Sequence, residues 1–279
     1  MTTVRWRSRP TTKAGVRENA VGFTGGSGRV GVVLCHGITG SPFSLRAFAD
    51  HLVAEGYRVA LPLLPGHGTS WQQLNRTSWH DWFAVVDGAL RALRRECDEV
   101  FVMGISMGGA LALRLAQVHP DDVRGIVLVN PSLGTADKRY LFLPFLSRFV
   151  PSLAGITDDI AKPDVTEHGY DRVPLKAVVS MMDLWTTVRA DLPRVEQPIL
   201  MFRSETDHVV DDTSARIIHH SVASAEVTER LLTRSFHVAT LDFEAEDIFS
   251  ESVDFIRGHS AFHGDAPDGI SAGTGVPDE

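Results

Sequence analysis

Residues 100–118 read VFVMGISMGGALALRLAQV, and the turn in the middle of this stretch indicates the fold class. The apolar run 100–103 is typical of a buried strand, and residues 107–118 are typical of a helix. Between them, Gly104-Ile105-Ser106-Met107-Gly108 matches the pattern G-x-S-x-G. The flanking glycines allow a steep strand-to-helix turn, which exposes the serine at a helix N-terminus that favours developing negative charge. Ser106 is therefore the predicted nucleophile of an acyl-transfer enzyme.

Short apolar runs and helical patterns alternate on both sides of this turn. Strands are predicted at residues 30–35, 57–61, 100–103, 125–129, 199–202 and 226–232. Helices are predicted at residues 43–55, 78–97, 107–118, 212–221 and 243–257. This alternation is typical of βαβ units, so we predict an α/β fold with a mostly parallel central sheet flanked by helices.

The alternation breaks at residues 132–192, where several prolines and clustered apolar residues show no clear strand. We interpret this segment as a small cap inserted between two parts of the core, residues 30–131 and 193–260. Residues 1–29 are predicted to form an N-terminal extension that could add an edge strand. Residues 261–279 contain almost nothing to bury, so we predict a disordered tail.

Composition narrows the class of partner. The chain has 279 residues, 43% of them hydrophobic, and needs no disulfides to stabilise a core of this size. Its net charge of -8 disfavours a nucleic-acid partner and permits at most peripheral contact with an anionic membrane. The two cysteines, Cys35 and Cys97, offer neither a disulfide framework nor a metal-ligand spacing. No transmembrane run or secretory signal is evident, so we expect a cytoplasmic protein.

An acyl-transfer enzyme needs two backbone N–H donors that point at the tetrahedral oxyanion. One is expected from Met107, the residue after the nucleophile. The other is expected from Ile38, in the loop HGITG that follows the first apolar strand. His36, which opens this loop, precedes the serine in the chain. In enzymes whose nucleophile lies in a G-x-S-x-G turn of this kind, the catalytic histidine comes last, so His36 is predicted to be structural.

The remaining catalytic residues should follow in the order acid, then histidine. Asp207 comes just after a predicted strand and is the predicted acid. Glu205, Asp211 and Asp212 are alternatives, although the last two are better placed to cap a helix. Among 12 histidines, only His237 combines the right order with a loop between the last strand and the last helix, so it is the predicted general base.

Six segments in this order resemble the bacterial monoacylglycerol lipases and small carboxylesterases of the α/β-hydrolase superfamily. They are HGITGSP (36–42), LPGHGTS (64–70), TSWHDW (77–82), GISMGG (104–109), ETDHVV (205–210) and SFHVATLD (235–242). The resemblance covers most of the chain. It implies an α/β-hydrolase fold, a triad of Ser106, Asp207 and His237, oxyanion donors from Ile38 and Met107, and a cap over the pocket.

Within the predicted cap, the resemblance continues from Ile156 through the segment PDVTE, residues 163–167. It implies that Ile156 narrows the pocket around the leaving group and that Glu167 hydrogen-bonds the glycerol hydroxyls. The apolar stretch 141–149 matches less well. Its leucines and phenylalanines are expected to pack the cap onto the sheet, to contact the acyl chain or to face a lipid surface.

The expected function is hydrolysis of carboxylic esters, above all monoacylglycerols, through an acyl-enzyme on Ser106. The expected partner is a small ester or lipid, no metal or organic cofactor is needed, and the oligomeric state stays open. One alternative is a general carboxylesterase for short- to medium-chain esters. Others are an acyltransferase in which an alcohol replaces water, and a non-catalytic binding module, against which the intact Ser, Asp and His argue.

Overall fold

A computed structural model describes residues 15–156 and 158–262 of the chain. The strands of its main sheet are β1 (Phe23–Gly25), β2 (Val30–Cys35), β3 (Arg58–Leu61), β4 (Glu99–Ile105), β5 (Val123–Val129), β8 (Ile199–Ser204) and β9 (Val227–Leu232). Their order is β1-β3-β2-β4-β5-β8-β9. All neighbours are parallel except β1 and β3. The predicted mostly parallel sheet is confirmed.

Eight helices occur in the described part of the chain. They are α1 (Phe43–Ala54), α2 (Trp71–Leu74), α3 (Trp79–Arg94), α4 (Met107–Val118), α5 (Leu143–Leu146), α6 (Leu175–Asp191), α7 (Thr213–Ser221) and α8 (Ala245–His259). The five predicted helices are all present, with ends displaced by at most three residues. Helix α3 has a capping box, in which Ser78 and Asp81 satisfy each other's backbone N–H groups, and this explains its sharp start.

The two faces of the sheet carry separate apolar layers, and alternate residues of β4 show why. Val100 and Val102 face a layer with helices α3, α4 and α6, whereas Phe101 and Met103 face a layer with α1 and α8. A parallel strand buried on both faces reads as a continuous apolar run, which is how β4 was recognised in the sequence. Burial of each large side chain contributes roughly 1.5–3 kcal/mol, so the two layers make a rigid base for the loops.

The N-terminal extension contributes a strand at the edge of the sheet. Residues Phe23–Gly25 pair antiparallel with β3, in the region where an edge strand is expected. The first fourteen residues of that extension lie outside the described residues, and so do residues 263–279, most of the predicted tail.

The segment 132–192 differs from the expectation that it has no strand. It contains β6 (Ser152–Ala154) and β7 (Arg172–Pro174), which form a separate antiparallel pair. Three-residue strands are too short to show periodicity, so the sequence pattern could not reveal them. Helix α6 packs on α4 and shares the core of the sheet, and Leu133 and Tyr170, which precede it, are also buried in that core. The limits of the cap therefore remain a proposal.

The register of the sheet brings the functional loops to one edge. Cys35 at the end of β2 pairs with Gly104, and Ile105 at the end of β4 pairs with Val129 at the end of β5. The loops that follow these parallel strands, and those after β8 and β9, therefore leave the sheet at its carboxyl edge. Ligands of open α/β sheets bind at this edge.

Candidate active site

Ser106 occupies the turn between β4 and α4 in a backbone conformation that few residues adopt, with φ 55° and ψ −123°. The turn is possible because strand and helix pass very close together. A Cβ on Gly104 of β4 would collide with the carbonyl oxygen of Gly108 in α4, and a Cβ on Gly108 would collide with the carbonyl oxygen of Cys35 at the end of the neighbouring strand β2. The motif glycines are therefore needed for this close approach, and the serine side chain lines a cavity.

Two backbone N–H groups beside Ser106 have no partner among the described residues. Met107 is the first residue of α4, so its N–H has no carbonyl one turn earlier, and no side chain caps it. The N–H of Ile38 likewise donates no hydrogen bond within the described chain. Ile38 and Ser106 line the same cavity. This pair of free donors is the arrangement that an oxyanion requires.

His36 holds the loop that carries Ile38. Its Nδ1–H donates to the carbonyl of Gly37 at 3.0 Å, and its Nε2 accepts from the N–H of Leu64 at 3.2 Å. Complete burial lowers the pKa of His36 to about 4, so the ring stays neutral. These contacts agree with the predicted structural role.

The carboxylate of Asp207 and the imidazole of His237 form a buried hydrogen-bonded pair. Nδ1–H of His237 donates to Oδ2 of Asp207 at 2.7 Å, while Oδ1 of Asp207 accepts the N–H groups of Val209 and Val210, both at 2.8 Å. Burial alone would raise the pKa of Asp207, but the His237 charge and these donors lower it below its usual value. Asp207 thus stays ionised and holds the imidazole tautomer that leaves Nε2 free.

The pKa of His237 is set by the balance of burial and nearby charge. Burial favours the neutral ring, but the charge of Asp207 and its hydrogen bond outweigh burial, with smaller contributions from Glu167 and Asp159. The net effect raises the pKa above 6.5. The side chains of Ser106 and His237 line one cavity but form no hydrogen bond with each other. Such catalytic hydrogen bonds often tighten only when substrate is bound.

The rival acids point elsewhere. Oδ1 of Asp211 accepts the N–H of Thr213 at the start of α7, and Oδ2 binds Thr135 at 2.9 Å. Asp212 is exposed and pairs with Arg216 at 3.0 Å. Glu205 is also exposed. Of the four candidates, only Asp207 contacts the imidazole of His237.

The cavity that contains Ser106 and His237 has a volume of about 590 Å³ and is lined by both polar and apolar side chains. Among the polar ones, the Glu167 carboxylate packs against Gly40, in the loop that carries Ile38. No described residue donates a hydrogen bond to that carboxylate. Burial raises the pKa of Glu167 to about 7, although the charge of His237 opposes this shift. The apolar side chains of the lining include Leu143, Val173, Leu175, Val178, Met181 and Trp185.

The expected residues of the insertion separate into those in the cavity and those on the surface. Ile156 lines the cavity but is 59% exposed, which places it at the rim. Of the apolar stretch 141–149, only Leu143 lines the cavity. Four others are 65–74% exposed, namely Leu141, Phe142, Phe145 and Phe149. The expectation that this stretch packs the cap onto the sheet is therefore wrong for these four side chains.

Two residues that hydrogen-bond the backbone of His237 were not predicted from the sequence. Asn130, at the end of β5, donates from Nδ2 to the carbonyl of His237 at 2.8 Å. Asp159, in the insertion, accepts the N–H of His237 at 3.2 Å. Neither stands in a recognisable motif, and a lone Asn or Asp beside a turn is the commonest of loop residues.

The described residues include no group of three or more His, Cys, Asp or Glu side chains that could hold a metal ion. No helix in the described part of the chain is both long and apolar enough to span a membrane.

Known proteins share this sequence and this architecture. Residues 27–244 match the family described as Hydrolase_4, serine aminopeptidase, S33. The chain is 38% identical over 250 residues to a thermostable monoacylglycerol lipase of Bacillus sp. (strain H-257), covering 88% of this chain and 97% of the relative. It is 25% identical to a carboxylesterase of Bacillus subtilis (strain 168), covering 84% and 95%.

One similar solved structure comes from a study of LipS and LipT, described as metagenome-derived lipolytic enzymes. It has a TM-score of 0.85 and 36% identity, and it covers 88% of this chain and all of the other. These similarities confirm the resemblance seen in the six sequence segments. The chain therefore belongs to the Hydrolase_4 family, and it is a serine hydrolase with the α/β-hydrolase fold.

Proposed function

We propose that this enzyme hydrolyses monoacylglycerols through an acyl-enzyme on Ser106. The observation that carries the proposal is Glu167, a carboxylate without an internal hydrogen-bond donor that shares a cavity with the nucleophile and the base. A monoacylglycerol has two free hydroxyls, and one carboxylate can accept hydrogen bonds from both. The similarity to the Bacillus sp. monoacylglycerol lipase supports the same substrate.

The chemistry follows from the positions of the three side chains. Oγ of Ser106 attacks the ester carbonyl while Nε2 of His237 takes its proton. The N–H groups of Ile38 and Met107 bind the oxyanion, and Asp207 stabilises the imidazolium. The tetrahedral intermediate collapses, and His237 returns the proton to the departing glycerol oxygen. Water then repeats both steps on the acyl-enzyme and releases the fatty acid.

The mixed lining of the cavity fits the two parts of this substrate. The acyl chain would lie against apolar side chains such as Leu143 and Met181, and the glycerol would lie at Glu167. Ile156 at the rim would narrow the space around the leaving alcohol. A simple alkyl ester would use the same catalytic residues without Glu167, which is the difference between the proposed lipase and the alternative carboxylesterase.

We further propose that the exposed apolar side chains of residues 141–149 contact a lipid surface. These side chains belong to the same segment as Leu143, which lines the cavity, so a surface held there would lie beside the substrate entrance. The segment from Lys138 to Phe149 contains no acidic residue and three basic ones, of which Arg139 is paired with Asp137 and Lys138 and Arg148 have no ion pair among the described residues. Apolar and aromatic side chains flanked by basic ones are typical of segments that lie in a membrane interface.

Ser106→Ala should reduce ester turnover by about 10⁴- to 10⁶-fold and abolish covalent labelling by a fluorophosphonate. The melting temperature should not fall, because the side chain of Ser106 makes no hydrogen bond in the fold. Turnover and labelling are measured on the same preparation. Labelling of the alanine variant would mean that another residue is the nucleophile.

The pH dependence should differ between two esters with the same acyl chain. For an ethyl ester, kcat/KM should rise with pH through one ionisation above pH 6.5, because the raised pKa of His237 delays formation of the neutral base. For the monoacylglycerol, ionisation of Glu167, whose pKa is about 7, should add to this rise. The ratio of the two values should increase about five- to tenfold between about pH 6 and pH 8. A constant ratio would show that Glu167 does not bind the glycerol as a carboxylate.

Glu167→Ala should lower kcat/KM for monoacylglycerols by about tenfold or more and spare the ethyl ester of the same acid. A charge-assisted hydrogen bond is worth about 1.5–3 kcal/mol, and 1.4 kcal/mol corresponds to a factor of ten. The assay belongs on the high-pH plateau of the ethyl-ester profile of each variant, where His237 is neutral. For monoacylglycerols, kcat/KM of Glu167→Gln, which keeps one acceptor oxygen, should lie between the values of the wild type and of Glu167→Ala. Equal losses on both esters would favour the general carboxylesterase.

Replacing Phe145 and Phe149 together by Ser should weaken binding to anionic phospholipid vesicles by about tenfold or more, because each side chain loses part of a burial worth about 1.5–3 kcal/mol. Hydrolysis of a water-soluble short-chain ester should not change. Leu231→Ser is the matched control, since Leu231 is 47% exposed on β9, at the edge of the sheet. Vesicle binding that is equal in both variants would rule out this surface.

A further inference from the structure

Asp159 is a buried carboxylate of the insertion whose contacts all lead to the loops of the catalytic acid and base. Its Oδ2 accepts the N–H of His237 at 3.2 Å and the N–H of His208 at 3.1 Å. Its Oδ1 accepts Nδ1–H of His208 at 2.7 Å. Its backbone carbonyl accepts the N–H of Val238 at 3.1 Å. His208 is the neighbour of Asp207, so one side chain joins both loops.

The backbone of His237 is thereby held from two directions. Asp159 holds its N–H from the insertion, and Asn130 holds its carbonyl from the sheet at 2.8 Å. The direction of the imidazole depends on this backbone, because the ring is two bonds away from it. A misplacement of about 1 Å can cost a catalytic group about 100-fold in rate.

Anchoring of the insertion does not require Asp159. The buried carboxylate of Asp242 already accepts the N–H groups of Ala161 and Lys162, at 2.7 and 2.9 Å, and that of Phe236 at 2.9 Å. These bonds tie the same part of the insertion to the same loop. A second buried carboxylate costs desolvation energy, and its particular contribution is a charge and an acceptor at His237.

The residue before Asp159 holds the backbone of Glu167. Oδ1 of Asp158 accepts the N–H of Glu167 at 2.5 Å and the hydroxyl of Thr166 at 2.8 Å. Asp158 has a φ of 53°, a conformation in which Asp is one of the few tolerated residues. Two adjacent residues therefore place the Glu167 backbone and the His237 backbone from one short stretch of chain.

We propose that Asp159 is a positioning residue for the general base, through which the insertion orients His237 towards Ser106. The proposal rests on the proposed role of His237 and not on the identity of the alcohol. It predicts that, on the high-pH plateau where His237 is neutral, catalysis of every ester depends on Asp159, whereas loss of Glu167 affects only esters of glycerol.

Two replacements of Asp159 distinguish its effect on the position of the His237 imidazole from the effect of its negative charge. Asp159→Ala removes the acceptor and should lower kcat for the ethyl ester by about 10- to 100-fold, with KM changed by less than about twofold. Asp159→Asn keeps an oxygen acceptor for the N–H of His237 and should recover most of this loss. Asp164→Asn, an exposed aspartate on the same segment, is the matched control and should behave as the wild type.

A pH profile provides a readout that a merely structural residue would not change. The charged groups that face His237 are Asp207, Glu167 and Asp159, and the charge of each favours the protonated ring. Asp159→Asn should therefore move the rise of kcat/KM to lower pH, and Asp164→Asn should not. Rates are expressed per site labelled by the fluorophosphonate, so that unfolded protein does not count.

The outcomes are distinguishable. Unchanged kcat per labelled site in Asp159→Ala, or an unshifted profile in Asp159→Asn, would overturn the proposal. A loss confined to monoacylglycerols would also overturn it, because Asp159 would then act through Glu167. Should the Asp159 variants fail to fold, His208→Gln replaces a half-exposed side chain and should lower ethyl-ester kcat about three- to tenfold. Failure of the triad itself would appear in Ser106→Ala, not here.

Discussion

The close crossing of β4 and α4 is the constraint on which the site depends. Gly104 of β4 lies where any side chain would meet the carbonyl of Gly108 in α4, so strand and helix approach to backbone contact. This approach accompanies the positive φ of Ser106, a conformation that costs of the order of 1–3 kcal/mol. Both apolar layers of the sheet hold the crossing in place and offset that cost. The same turn leaves the N–H of Met107 without a helical partner, beside the nucleophile.

Three carboxylates surround the imidazole of His237, and their hydrogen bonds distinguish their roles. Asp207 and Asp159 each accept two backbone N–H groups and one histidine N–H. These donors replace the water lost on burial. Glu167 receives no donor from the described residues and has a pKa of about 7. It is the one of the three whose hydrogen-bonding capacity remains for a substrate.

The insertion contributes to the site in a different way from the sheet. The loops at the ends of the strands of the sheet carry Ile38, Ser106, Asp207 and His237. The insertion contributes Glu167 to the cavity, Asp159 to the backbone of His237 and an exposed apolar surface beside Leu143. In the proposed mechanism, the catalytic residues therefore follow the strands of the sheet, whereas the residues proposed to select the substrate and to position the base belong to the insertion.

Local pattern was enough to predict the parallel sheet, its helices, the elbow at Ser106 and the order Ser106, Asp207, His237. Buried parallel strands are continuous apolar runs, and a strand-to-helix turn at a serine needs glycines at set positions. The pattern could not reveal β6 and β7, which are too short for any period. It also could not separate Leu143, which lines the cavity, from Phe145, which is exposed, because both are apolar residues of one short segment. Asp159 and Asn130 could not be predicted for a further reason. Each hydrogen-bonds the backbone of His237 but lies far from it in the sequence. Such contacts depend on how separate loops meet above the sheet, and only the tertiary structure decides that.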